Sequence, residues 1–291
     1  MRFAFIQSER DDYPITVLCR TMHVSCSGYH AWVDREECAR KREDRVLAVH
    51  IAAAFMRSRR TYGSPRIRAE LDGEGVRIGR GRTARLMREN GLFARKKKSF
   101  RVCPKSCQRD RLVPNRLDRK FGACAPNRKW VTDVKYIRTN AGWMYLAPVI
   151  DLFSRRVVGC AMSSEHDGTL SLAALTSAIA ARGVPKRVML HSDRGGIYGD
   201  DAYVTTMQRF GIKRSMSRTS NPWDNAVIES FFSTLRFELL DRERFEDQEH
   251  AERSIREWIE NFYNPVRRHT SIGNMSPIKY ELTCAMRDQR P

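Results

Sequence analysis

Three carboxylates stand in settings that suit metal chemistry. Asp133 falls inside a β-branched and aromatic stretch, Lys129-Trp130-Val131-Thr132-Asp133-Val134-Lys135-Tyr136-Ile137. An acid there is costly to desolvate unless a cation or hydrogen bonds compensate it. Asp193 follows the short apolar run Val188-Met189-Leu190 and precedes the glycine turn Gly195-Gly196. Glu229 lies about two helical turns beyond Asn221-Pro222, a pair suited to a helix start. Such carboxylates are hard oxygen donors, and three brought together by a fold would hold divalent cations. Metal ions held this way make a nucleophile of water or a hydroxyl and relieve charge on the leaving oxygen of a phosphodiester. Each acid also has a plain reading, as an edge residue, a turn holder or an exposed helix acid. Asp151, Asp200, Asp201 and Asp224 are nearby alternatives, and Asp151, in a turn, is expected to accept from backbone amides.

The elements that must position these acids follow from periodicity. Alternation around Asp133 predicts a strand with the acid in its middle. Strands are expected over residues 143–150 and 156–162, joined by a tight turn, and again over 188–191 and 212–216. Helices are expected over 169–181 and 201–210, ahead of the Glu229 helix. Three strands followed by alternating helix and strand is a mixed α/β order, and pattern alone leaves the topology open. In the Glu229 helix, Ile228, Phe231, Phe232, Leu235 and Leu239 cluster on one face at about 100° per residue, which must be buried. Glu229 lies at the margin of that face, with Asn225 and Arg236 on the same margin. Asn225 is therefore expected to border the site, as is His191, which should pack and hydrogen-bond below Asp193.

The stretches Trp130-Val131-Thr132-Asp133, His191-Ser192-Asp193-Arg194-Gly195 and Trp223-Asp224-Asn225 through Glu229-Ser230-Phe231-Phe232 resemble the catalytic core of DDE transposases and retroviral-type integrases. The likeness is strongest to the second-frame (OrfB-type) transposase subunit of the bacterial insertion-sequence-three family, and runs from about Tyr13 to Tyr280. Between Asp193 and Glu229 lie 35 residues, that family's typical second spacing. The resemblance implies an α/β ribonuclease-H-like catalytic domain, a mixed five-stranded sheet with helices, preceded by a helical helix-turn-helix DNA-binding region. It implies two magnesium ions, with manganese serving in vitro: Asp133 bridging both, Asp193 holding one and Glu229 the other. It further implies cleavage at element ends and transfer of the 3′-hydroxyl into DNA. The partners implied are double-stranded DNA from element ends and target, a homo-oligomer on DNA, and an upstream first-frame (OrfA-type) product.

Composition agrees with a polyanionic partner. The 291 residues carry 53 Lys and Arg against 34 Asp and Glu, a formal charge of +19, with most of the excess before residue 120. A helix, a turn and a second helix are expected over residues 14–32, with Ser25 as a cap. A long helix over 35–60 should bury Val46, Val49, Ala53 and Met56. Ser64 should cap a helix carrying Ile67 and Leu71, and a helix over 80–90 should turn Leu86 inward and stop at Gly91; this pair resembles the helix-turn-helix found before the family's catalytic core. The arginines of that last helix, Arg80, Arg82, Arg85 and Arg88, are expected to meet DNA. So are Lys96, Lys97 and Lys98 in the linker, and Arg236 through a phosphate.

The expected division is a helix-turn-helix region at 1–93, a basic linker at 94–122, a catalytic core at 123–245 and a helical extension at 246–291. The eight cysteines make no disulfide framework. His23, His30, Cys103 and Cys107 lack the spacing of a zinc module, so no zinc is expected. No apolar run approaches the ~20 residues of a membrane span, and the expected location is cytoplasmic, on the nucleoid when bound to DNA. A non-catalytic DNA-binding regulator would have no use for the acidic trio. A ribonuclease-H-type nuclease would have little use for the basic helical region.

Overall fold

The structure is a computed structural model and describes residues 1–94, 113–219 and 221–288. Lys96, Lys97 and Lys98, with Cys103 and Cys107, lie outside the described residues.

The first helices are α1 (Arg2–Glu9), α2 (Ile15–Thr21) and α3 (Cys26–Val33). They close around Ile6, Leu18, Cys19 and Tyr29. Ser25 caps α3 as expected, its hydroxyl accepting from the Gly28 N–H at 3.1 Å. A second unit follows: α4 (Ala39–Arg57), α5 (Ser64–Gly73) and α6 (Arg80–Glu89). Its core is Ile51, Ala54, Phe55, Tyr62, Ile67, Leu71, Leu86 and Met87. The expected buried stripe of α4 is corrected here, because Val46, Val49 and Met56 are exposed. Both faces of that helix carry apolar residues, and the packing of α5 and α6 selects the Ile51–Phe55 face. The cap of α5 is Gly63, and Ser64 is already the first helical residue.

The sheet is built from β1 (Lys129–Thr132), β2 (Lys135–Thr139), β3 (Gly142–Asp151), β4 (Val157–Ser163), β5 (Met189–Ser192) and β6 (Lys213–Met216). The long strand β3 pairs antiparallel with β4 along one edge and with both β1 and β2 along the other. Parallel pairing then adds β5 to β1 and β6 to β5. β1 and β2 are one strand position interrupted at Asp133–Val134, so six segments fill five positions. This corrects the expectation that Asp133 sits mid-strand. The register with β3 is the same on both sides of the gap, Thr132 opposite Val149 and Lys135 opposite Leu146. Asp133 thus falls opposite Pro148, which has no N–H to give the ladder.

Strand alternation sends Trp130, Ala147 and Val149 to one face, covered by α7 (Gly168–Ala181) and α8 (Asp201–Arg209). Gly159 of β4 lies so close to α7 that an added Cβ would come within 2.6 Å of the Ala174 carbonyl. Val131, Leu146 and Ile150 face the other side, under α9 (Ala226–Leu235) and α10 (Gln248–Glu257). That second core includes Leu117 from before β1. It also takes in Trp258, Phe262 and Tyr263 from the turns after α10, so the C-terminal extension shares the core of the sheet domain. The described chain ends in α11 (Pro277–Asp288).

Candidate active site

Asp133 and Asp193 leave the same edge of the sheet. The parallel register sets Val131 beside His191; carried on by two residues, it sets Asp133 beside Asp193. Adjacent strands lie about 4.8 Å apart, and ligands of open α/β sheets gather at such carboxyl ends. Asp133 is 7% exposed, and its Oδ1 accepts from the Val134 N–H at 2.8 Å. Asp193 Oδ1 accepts from the Gly195 N–H at 2.9 Å. A Cβ at Gly195 would stand 3.0 Å from that oxygen, so glycine suits the close turn. Behind both acids lies Tyr198, fully buried, its phenol pushed well above the usual range by burial and then by the charges of Asp133 and Asp193.

Glu229 is exposed in the first turn of α9, which packs against β1. Among the described residues no three His, Cys, Asp or Glu side chains are gathered closely enough to hold an ion.

His191 is fully buried, with Nδ1 2.8 Å from the Ser215 hydroxyl and Nε2 3.2 Å from that of Ser217. Burial lowers its pKa to about 4, against the opposing charge of Asp224. It braces β5 against β6 below Asp193. Asn225 precedes α9 and is buried, and its Oδ1 meets no hydrogen-bond donor among the described residues. Arg236, at the other end of α9, is exposed and pairs with Asp241 at 3.2 Å.

The arginines of α6 divide into two sets. Arg82 and Arg85 each hold Asp44 of α4 at 2.6 Å, and Arg85 also reaches Glu89. Arg80 and Arg88 are exposed. Nothing in the local sequence of α6 announces this division, because Asp44 is far away along the chain. Asp151 behaves as expected, accepting from the N–H groups of Asn127 and Phe153 at 2.7 and 2.9 Å. Asp200 caps α8. Asp224, one of the alternative acids in the sequence, has a structural role that its local pattern does not reveal. Its buried carboxylate binds Arg218, Arg119 and Asn115 at 2.8–2.9 Å, and Arg218 above all holds it well below the usual carboxylate range. Asp224 thereby ties the segment before β1 to the start of the Glu229 helix.

The chain is similar to known proteins along most of its length. A family model described as an integrase core domain matches residues 123–222, and a second of the same description matches residues 210–277. A model of an HTH-like domain matches residues 41–100. The chain is 40% identical over 263 residues to the insertion element IS600 uncharacterized 31 kDa protein of Shigella sonnei, covering 90% of this chain and 97% of the relative. It is 35% identical over 285 residues to transposase InsF for insertion sequence IS3A of Escherichia coli (strain K12), covering 97% of this chain and 98% of the relative. Among solved structures it is similar to a simian T-cell lymphotropic virus intasome in complex with PP2A regulatory subunit B56 gamma, with a TM-score of 0.46, 15% identity, and coverage of 74% of this chain and 70% of that one. No described helix is long and apolar enough to cross a membrane. With an HTH-like region, a ribonuclease-H-like integrase core, and identity of this order along nearly all of both chains, the protein belongs to the insertion-sequence-three family of DDE transposases.

Proposed function

We propose that Asp133, Asp193 and Glu229 are the acids with which this transposase cuts and joins DNA. The observation that carries the reading is the level placement of Asp133 and Asp193 at the carboxyl ends of adjacent parallel strands. Their donors are hard oxygens, each steadied by one backbone N–H, a set that fits magnesium or manganese. Glu229 reaches the pair from the exposed margin of α9 when DNA and cation are present. When bound, two divalent ions supply activation of the attacking hydroxyl and neutralisation of the leaving oxygen. The chain's own part is to hold the two aspartates at one level, to wall the site from behind with Tyr198, and to keep α9 anchored through Phe231 and Phe232.

The DNA partner is duplex from element ends and target. We assign phosphate contacts to Arg80 and Arg88, which are exposed on α6, and to Arg236, whose exposed pair with Asp241 is readily exchanged for a phosphate. Arg82 and Arg85 instead position α6 on α4. Lys96, Lys97 and Lys98 extend the basic track in the linker. The functional division is helix-turn-helix region 1–93, linker 94–122, core 123–245 and extension 246–291. Assembly is as a homo-oligomer on DNA, with an upstream first-frame product as a further partner.

The test is strand transfer with the full chain. Asp133→Asn and Asp193→Asn should each abolish joining in magnesium or manganese while duplex affinity changes little. Either variant joining ends at near the wild-type rate would remove that residue from the site.

A further inference from the structure

A second site opens on another side of α9. A cavity of about 510 Å³ lies between the start of α5, the β3–β4 turn, α9 and the segment after Tyr263. Three arginines line it, Arg66, Arg155 and Arg267, with one carboxylate, Glu238. Glu238 is already spent: both its oxygens take Arg267 Nε, at 3.0 and 2.9 Å. Arg66 leans on the Tyr62 ring and makes no ion pair among the described residues. Arg155 Nη1 is buried and meets no hydrogen-bond partner among the described residues. Burial lowers the pKa of both Arg66 and Arg155. His269, also in the lining, is driven to a pKa of about 2 by burial and by Arg267, Arg66 and Arg155, so it stays neutral. Glu238 and Asp151 favour these two positive charges electrostatically, but neither forms an ion pair with them among the described residues.

Arg66 and Arg155 are half-buried; holding such charges partly out of water is costly, and a ligand that takes them would repay the cost. Arg155 is held for this place in spite of its backbone, which sits at φ 65° in a tight turn. The Tyr263 hydroxyl donates to its carbonyl at 3.0 Å and fixes that conformation. Hydroxyls from Ser230, Thr270 and Ser271 complete the lining.

We infer that this cavity is a phosphate-binding site, built to take a phosphate group on the forks of Arg66 and Arg155. Guanidinium forks match phosphate oxygens with paired, charge-assisted hydrogen bonds. The volume exceeds what a lone phosphate fills and leaves room for an attached sugar. Arg66 comes from the helix-turn-helix region and Arg155 from the catalytic sheet, so one phosphate held there would tie the two together. The source we favour is a backbone phosphate of DNA, which rests on the transposase reading; free phosphate or a nucleotide would satisfy the same chemistry. Glu229 does not line the cavity, so the site is distinct from the acidic one.

The experiment uses the full chain, with inorganic phosphate and a duplex as probes, and compares it with Arg66→Gln/Arg155→Gln. At matched ionic strength, phosphate should raise the unfolding midpoint of the wild type above its value in chloride, and should not do so for the double variant. If the occupant is a DNA phosphate, inorganic phosphate also competes with duplex beyond its ionic strength. The double variant then lowers the slope of log affinity against log salt by about one, whereas Arg253→Gln, exposed elsewhere, leaves the phosphate competition intact. Phosphate stabilisation without competition, and with an unchanged slope, assigns the site to free phosphate. Failure of both arms in the wild type overturns the proposal. Arg66→Lys/Arg155→Lys keeps the charge without the forks and should weaken the response less than the glutamine pair does, and Arg66→Gln alone serves if the double variant misfolds. Strand transfer surviving in Asp133→Asn would defeat the catalytic reading and leave both arms untouched.

Discussion

Asn225 and Glu229 share a margin of α9 but meet different surroundings. Glu229 is exposed, whereas Asn225 is buried with an unsatisfied oxygen. A buried acceptor without a donor costs free energy that a ligand or water can return. Asn225→Ala should therefore slow joining by about tenfold, a loss sized to one polar contact, while Glu229→Gln should abolish it; single-turnover joining assays would rank the two. An Asn225→Ala rate equal to wild type would reduce that residue to a structural cap. His191 offers a test by pH. Its pKa is lowered to about 4 when folded and lies near 6.5 when unfolded. Between those values the unfolded chain holds a proton that the folded chain refuses, so stability falls as pH drops from 6.5 towards 4. The contribution is on the order of 3 kcal/mol. His191→Asn should remove it and leave the similar, lower-reaching contribution of His269. Urea unfolding of both proteins at several pH values would show the difference, and parallel curves would refute it.

Helix α4 shows how an element chooses its face. Its sequence carries apolar residues all round, and the packing of α5 and α6 buries Ile51, Ala54 and Phe55 while leaving Val49 70% exposed. Ile51→Ala should cost about 2–5 kcal/mol through lost burial and a residual cavity. Val49→Ala should stay within about 0.5 kcal/mol. Equilibrium unfolding of the two variants separates the faces, and equal losses would contradict the packing. The interruption between β1 and β2 belongs to this scale too. A proline in β3 relaxes the ladder where an acid must leave it, and the register resumes unchanged on the far side.

Across the whole molecule, the helix-turn-helix region and the extension are fastened by polar contacts. Arg268 pairs with Glu70 of α5, its backbone N–H donates to the Tyr62 hydroxyl at 2.7 Å, and Arg59 lies over the Phe262 ring. Side-chain contacts of this kind join α5 to a segment nearly two hundred residues later. Arg268→Ala should uncouple the two, so that the region before residue 94 unfolds ahead of the sheet domain. Calorimetry should then show two transitions, or hydrogen exchange should speed up in α4–α6 alone. A single unshifted transition with unchanged exchange would mean the fastening lies elsewhere. The formal charge of +19 acts over the same length scale, drawing the assembled protein to DNA with a strong dependence on salt.

The sequence by itself carried the acids in their motifs, the family resemblance, the strands that became β3 and β4, and the Ser25 cap. These are local: periods of two or 3.6 residues, turn residues and short motifs need only near neighbours. Tertiary structure alone decided that the first strand breaks at Asp133, since this depends on which residue of β3 stands opposite. It also decided that Arg82 and Arg85 serve Asp44 while Arg80 and Arg88 face solvent, and that Asp224 is a structural clamp. The cavity of Arg66, Arg155 and Arg267 draws on residues about two hundred positions apart. No local pattern encodes it, because a cavity's charge is the sum of what separate elements turn into it.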